Sequence, residues 1–192
     1  MCFLPFHPIP WYYQKMVKIV QQKDPVLRKV TKLVDPHEIT SPYIQKVIAD
    51  MKQALKSQED GVAIAAPQIG VSLSIFVMSG KAPLYENVKK NGSENVEKVL
   101  PDDIVFINPE IIKISRKKVV VPEGCLSVRW LYGKTLRSEK ARVQAYNEKG
   151  KLFEYGGSGL IAQIFQHETD HLKGILFIDH ATDIQDMPPE DS

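Results

Sequence analysis

A chain of 192 residues with 43% hydrophobic content can bury a core without disulfide or metal staples. Its formal charge of +2 is too small to argue for a nucleic-acid-binding protein, and no apolar run approaches the roughly 20 residues that span a bilayer. Two cysteines, Cys2 and Cys125, suit free thiols in a reducing compartment better than a structural disulfide.

Residues 1–15 place Pro5, Pro8 and Pro10 among aromatic residues, with no positive charge ahead of the apolar stretch and no Arg or Ser. They read as a flexible N-terminal extension, neither a secretory signal nor a targeting peptide, with the folded domain spanning 16–182. Ser41-Pro42 announces a helix, and Ile44, Val47, Ile48, Met51 and Leu55 follow at helical spacing. Residues 72–78 read as a strand. The polar stretch 81–103, with Asn91-Gly92-Ser93 at its middle, reads as a long loop. Residues 104–107, 111–115, 118–121, 141–146 and 152–155 are strand-like, the last two joined by a hairpin turn at Asn147-Glu148-Lys149-Gly150. A buried helix follows, then a short strand at 175–178 and an acidic tail at 183–192. Strands clustered between two helices predict an α+β fold, with antiparallel sheets wrapped around a central buried helix.

That helix carries the chemistry. His167-Glu168-Thr169-Asp170-His171 reads H-E-x-x-H, and residues four apart on a helix share a face, so both imidazoles can grip one cation. Glu168 stands beside the first histidine, able to act on water without being a ligand. A solvated helix face is the alternative, but Leu160, Ile161, Ile164, Phe165 and Leu172 make the segment apolar on more than one side. Ser158-Gly159 suits its start, and Gly174 stands where a left-handed residue ends it.

Two histidines leave a third protein ligand to be found among Cys125, His7, His37, His180 and the acidic residues. Cys125 has the best local setting, in Pro122-Glu123-Gly124-Cys125-Leu126-Ser127 after a strand, although a free cysteine in such a stretch is often a plain core residue. His180 does not fit the longer H-E-x-x-H-x-x-G-x-x-H spacing, because position 177 is Phe. A third segment, Gly61-Val62-Ala63-Ile64-Ala65-Ala66-Pro67-Gln68, is neither a Walker loop nor a Rossmann fingerprint. Its small residues suit close approach to a ligand, and Gln68 can donate to a developing oxyanion; the plainer alternative is a tight loop before the strand.

These three segments in this order, with Asp24-Pro25-Val26-Leu27-Arg28 upstream, strongly resemble peptide deformylases, over roughly residues 17–180. The resemblance implies removal of the N-formyl group from the N-terminal formylmethionine of nascent chains, releasing formate. It implies Cys125, His167 and His171 as metal ligands, Glu168 as general base and then acid, and Gln68 with the Leu126 N–H as oxyanion hole. Substrate-binding positions fall at Val62, Ala63, Gly124 and Ile164. One divalent metal ion is implied, iron(II) in the cell with zinc(II), nickel(II) or cobalt(II) in purified protein. The implied setting is a bacterial-type cytoplasm, or an organelle, with formyl-Met peptides as partners, transient contact with the ribosome, and neither nucleic-acid reading nor membrane attachment.

The chain departs from the family pattern at three places. Ala63 stands where glycine is typical, Arg129-Trp130 follows Ser127-Val128 where proline is common, and Gln163 falls where an apolar residue usually faces the methionine pocket. The 81–103 loop is similar to an insertion found in one subgroup, and the acidic tail lacks the basic helix some members use on the ribosome. Two other readings compete: an unrelated H-E-x-x-H metalloprotease, and a catalytically silent or substrate-shifted deformylase-like protein.

Overall fold

The computed structural model describes residues 17–85 and 101–189. The N-terminal extension with His7, and most of the 81–103 loop, lie outside them. Helix α1 (Pro42–Lys56) begins as expected, with Pro42 in its first turn and the Ser41 hydroxyl accepting from the Ile44 amide. The strands follow in chain order: β1 (Ala63–Ala65), β2 (Ile75–Met78), β3 (Ile104–Ile114), β4 (Lys118–Gly124), β5 (Leu131–Ser138), β6 (Lys140–Tyr146) and β7 (Leu152–Ser158). Helix α2 (Leu160–Leu172) comes next, then β8 (Thr182–Asp186).

One antiparallel sheet runs β1-β2-β3-β6-β7 and a smaller one β4-β5-β8. The pleat of the larger sheet sends successive side chains to opposite faces. Ile75, Val77, Val105 and Ile107 therefore join the buried stripe of α1, while Phe76, Met78 and Phe106 join Ile161, Ile164 and Phe165 of α2. Each helix thus covers one face, and the far side of α2 meets β5 of the small sheet. This is the predicted α+β architecture, with the H-E-x-x-H helix enclosed between sheets.

Several local expectations need correction. The strand expected at 72–78 is limited to 75–78. The two strands expected at 104–107 and 111–115 are one, interrupted where Asn108 takes φ 50° so that its side-chain amide can bond both the N–H and the carbonyl of Val34. The segment from residue 81 opens as helix, over 81–85, where a loop was expected. Strand β5 has no counterpart in the sequence reading: its inward positions are Gly133, Thr135 and Arg137, so no apolar alternation marks it. The strand expected at 175–178 is instead a 3-10 turn at Phe177–Asp179, closed by the Asp179 carboxylate accepting from the Leu176 amide. Strand β8, exposed throughout, crosses the expected start of the tail at Asp183.

At the end of α2, Gly174 takes φ 75°, and a Cβ there would lie 2.7 Å from the Arg28 backbone. Only glycine permits both the turn and that approach. At the other end Gly159 is the N-cap, with no side-chain cap bond.

Candidate active site

Strand β4 ends at Gly124 and hands the chain to Cys125. A side chain at Gly124 would meet the Tyr132 ring at 2.7 Å, so glycine lets the two strands close up just before the cysteine. Across from this turn, α2 presents His167 and His171 one turn apart, their ring centroids 4.9 Å from each other. Cys125 Sγ lies 3.2 Å from His171 Nε2, and one donor atom from each of Cys125, His167 and His171 falls within 4.8 Å of the others. His37 and His180 are exposed and stand outside this group.

One sulfur and two imidazoles are a donor set that suits a divalent transition metal. The surroundings fit such an ion. His167 Nδ1 is bonded to Glu123 Oε1 at 2.6 Å, which leaves Nε2 for the cluster. Burial, with the neighbouring His167, holds His171 well below the ordinary imidazole range, a shift toward the neutral ring that a metal requires. Burial alone would also lower His167; hydrogen bonds to Cys125 and Glu123 outweigh it and hold that ring well above the usual value, so an ion taking Nε2 would displace a proton. Glu168 is 3% exposed, its Oε2 has no hydrogen-bond partner among the described residues, and burial pushes its carboxyl up to about 7.

Sequence reasoning missed the support beneath His167. Glu123, on the last turn-facing part of β4, accepts from Thr135 Oγ1 at 2.6 Å and from Arg137 Nε and Nη2 at 3.0 and 2.6 Å. Arg137 spends its remaining nitrogen on Asp170 of α2, at 2.6 Å. Burial raises the Glu123 carboxyl, but hydrogen bonds from His167 and Arg137 hold it far below the usual carboxylate range. The only hint in the sequence was an acidic residue two places before Cys125.

Gln68 arrives from the 3-10 turn that follows β1, 1% exposed. Its Oε1 accepts from the Ala65 amide at 2.8 Å, and its Nε2 donates to Ser127 Oγ at 3.2 Å and to Cys125 Sγ at 3.5 Å. The donor end of the amide is thereby turned toward the cluster. The segment that allowed a loop reading is thus a strand followed by a tight turn. A cavity of about 540 Å³ opens over this group and is also lined by Val62, Ala63, Gly124, Leu126, Ile164 and Glu168. All ten residues singled out from the sequence meet at this cavity or in the cluster behind it.

The departures sit on the same walls. Ala63 is buried in the α2-facing core, and Gln163 bonds the Pro122 carbonyl at 2.8 Å. Arg129 is tied down at the rim by Asp60, with bonds of 2.6 and 3.0 Å, and its guanidinium stacks 4.6 Å from the Trp130 ring.

The polypeptide deformylase family profile matches residues 16–187. The peptide deformylase of Desulforudis audaxviator is 38% identical over 167 residues, covering 87% of this chain and 94% of that protein. Peptide deformylase 1A of Arabidopsis thaliana, a chloroplastic/mitochondrial protein, is 40% identical over 162 residues, 84% of this chain; the chain spans 60% of that longer relative. The structure of an Acinetobacter baumannii class I type b peptide deformylase bound to Met-Ala-Ser superposes with a TM-score of 0.72 at 28% identity, covering 86% of this chain and 98% of that one. The chain therefore belongs to the polypeptide deformylase family, the metal-dependent hydrolases that remove the N-formyl group from nascent polypeptides.

Proposed function

We propose that Cys125, His167 and His171 hold one divalent metal ion, and that the site hydrolyses the formyl amide of formyl-methionyl peptides. The observation that carries this reading is the convergence of three donor atoms, an unpartnered buried carboxylate and an oriented amide on one cavity. A divalent ion in such a site acts as a Lewis acid, acidifying water and polarising a carbonyl oxygen.

The chain's own residues supply the rest. Glu168 Oε2 takes the proton of the attacking water and returns it to the leaving amine, a role suited to a carboxyl raised to about 7. With Gln68 Oε1 committed to Ala65, Gln68 Nε2 and the Leu126 N–H are the donors for the tetrahedral oxyanion. Strand β1 is an edge of the large sheet, so an extended peptide can add alongside Val62 and Ala63. Gly124 and Ile164 flank the first side chain. Glu123 fixes the tautomer and tilt of His167.

Iron(II) is the working ion in this reading, with zinc, nickel or cobalt in isolated protein, because zinc generally outcompetes iron(II) for thiolate–imidazole sites. The reaction belongs where nascent chains begin with formylmethionine, a bacterial-type cytoplasm or an organelle, in transient contact with the ribosome. Anaerobically iron-reconstituted protein should release formate from formyl-Met-Ala-Ser. Cleavage of the peptide bonds without formate would overturn the reading in favour of an unrelated protease.

A further inference from the structure

Gln163 lies one helical turn before His167, on the wall of the cavity that Glu168 also lines. Its Nε2 donates to the Pro122 carbonyl at 2.8 Å, bridging α2 to β4. That bond fixes the amide without using it up, since Oε1 and the second N–H have no partner among the described residues. The cavity is also lined by apolar Ile164 and Leu160 of the same helix. An anchored amide with spare hydrogen-bonding capacity beside apolar lining residues is suited to recognising a polar atom on whatever side chain enters.

We propose that Gln163 is a specificity-determining residue that lets this pocket take a polar first side chain, so that peptides beginning with formyl-methionine sulfoxide are deformylated alongside those beginning with formyl-methionine. The proposal rests on the deformylase reading above. Methionine sulfoxide keeps the length of methionine but carries a strong acceptor oxygen on sulfur, a group that an amide N–H donor can bond. Because the Gln163 amide is already held by Pro122, little further side-chain ordering opposes that bond. Water still adds to the formyl carbon, the C–N bond breaks, formate leaves and the amine takes the proton; the sulfoxide is unchanged.

The test compares kcat/KM for formyl-Met-Ala-Ser and formyl-Met(sulfoxide)-Ala-Ser on wild type and Gln163→Ile. In parallel, calorimetry measures binding of the products Met-Ala-Ser and Met(sulfoxide)-Ala-Ser, which needs no turnover. Wild type should process the sulfoxide within about tenfold of the methionine substrate. Q163I should lower the sulfoxide-to-methionine ratio of kcat/KM by at least about tenfold, the effect of removing one hydrogen bond to the sulfoxide oxygen. A sulfoxide-to-methionine ratio in wild type below about one in ten, or a ratio that Q163I does not change, overturns the proposal. The wild-type ratio decides even if Q163I fails to fold. Absence of formate from both substrates, with product peptides still bound, would instead sink the underlying enzymatic reading.

Discussion

Arg137→Met removes the cation at the centre of the buried network while keeping an unbranched apolar stem. The Arg137 side chain is 8% exposed and that of Glu123 2%, and the guanidinium makes two bonds to Glu123 and one to Asp170. Without it, the Glu123 carboxylate keeps only Thr135 and His167, and Asp170 loses its partner. Breaking a buried pair from one side costs about 3–5 kcal/mol, because the remaining charge is left uncompensated. In a domain of this length each kcal/mol lowers Tm by about 2–4 °C, so R137M should melt roughly 6–20 °C below wild type. Circular dichroism melts at matched metal content measure this. If an uncompensated carboxylate is the cause, adding Glu123→Gln to R137M should restore part of the loss. A single variant within about 1 kcal/mol of wild type, or a double variant no more stable than the single, would refute the reasoning.

Glu168→Ala should retain metal, measured by elemental analysis, yet lose at least about a hundredfold in formate release; more than a tenth of wild-type turnover would remove Glu168 from its role. Gln68→Ala should lower kcat by about a hundred- to a thousandfold with metal content unchanged, and a fall in KM terms alone would argue against an oxyanion donor. The Arg129 hydrogen bond holds the Asp60 carboxyl below its ordinary range against the opposing effect of burial. A depressed carboxyl stabilises the fold above its unfolded pKa of about 4 and loses that contribution as pH falls through the lowered value. Because the Asp60 side chain is 56% exposed, Asp60→Asn should cost at most about 1 kcal/mol in urea unfolding at pH 7, shrinking toward zero near pH 2. Equal costs at both pH values would contradict this.

Helix α1 and the metal-type helix were legible because their apolar residues recur at helical spacing and their chemistry is packed into a few adjacent letters. Cys125 and Gln68 were legible as candidates from their short segments, but only the fold shows the 3.5 Å approach of one to the other. Strand β5 was not legible for a physical reason. Its interior positions are given to Thr135 and Arg137, which satisfy Glu123 and Asp170 instead of filling an apolar core. A hydrophobic-pattern reading looks for buried oil and passes over buried charge. Strand β8 escaped for the opposite reason: it buries none of its five residues, and its existence depends on hydrogen bonds to β5, a partner some fifty residues away. At 175–178 the apolar run was real, since Leu176 and Phe177 are core, but burial alone does not distinguish a strand from a tight turn.

The sulfur donor rides on a turn of the small sheet, whereas both imidazoles ride on a helix seated against the large one. The three donor atoms therefore straddle the seam between the two layers, and in the proposed site an ion gripping them would work as a clasp. Parting the layers by a few ångströms would release it, so resistance to chelators and resistance to denaturant should rise and fall together in every variant that loosens the seam.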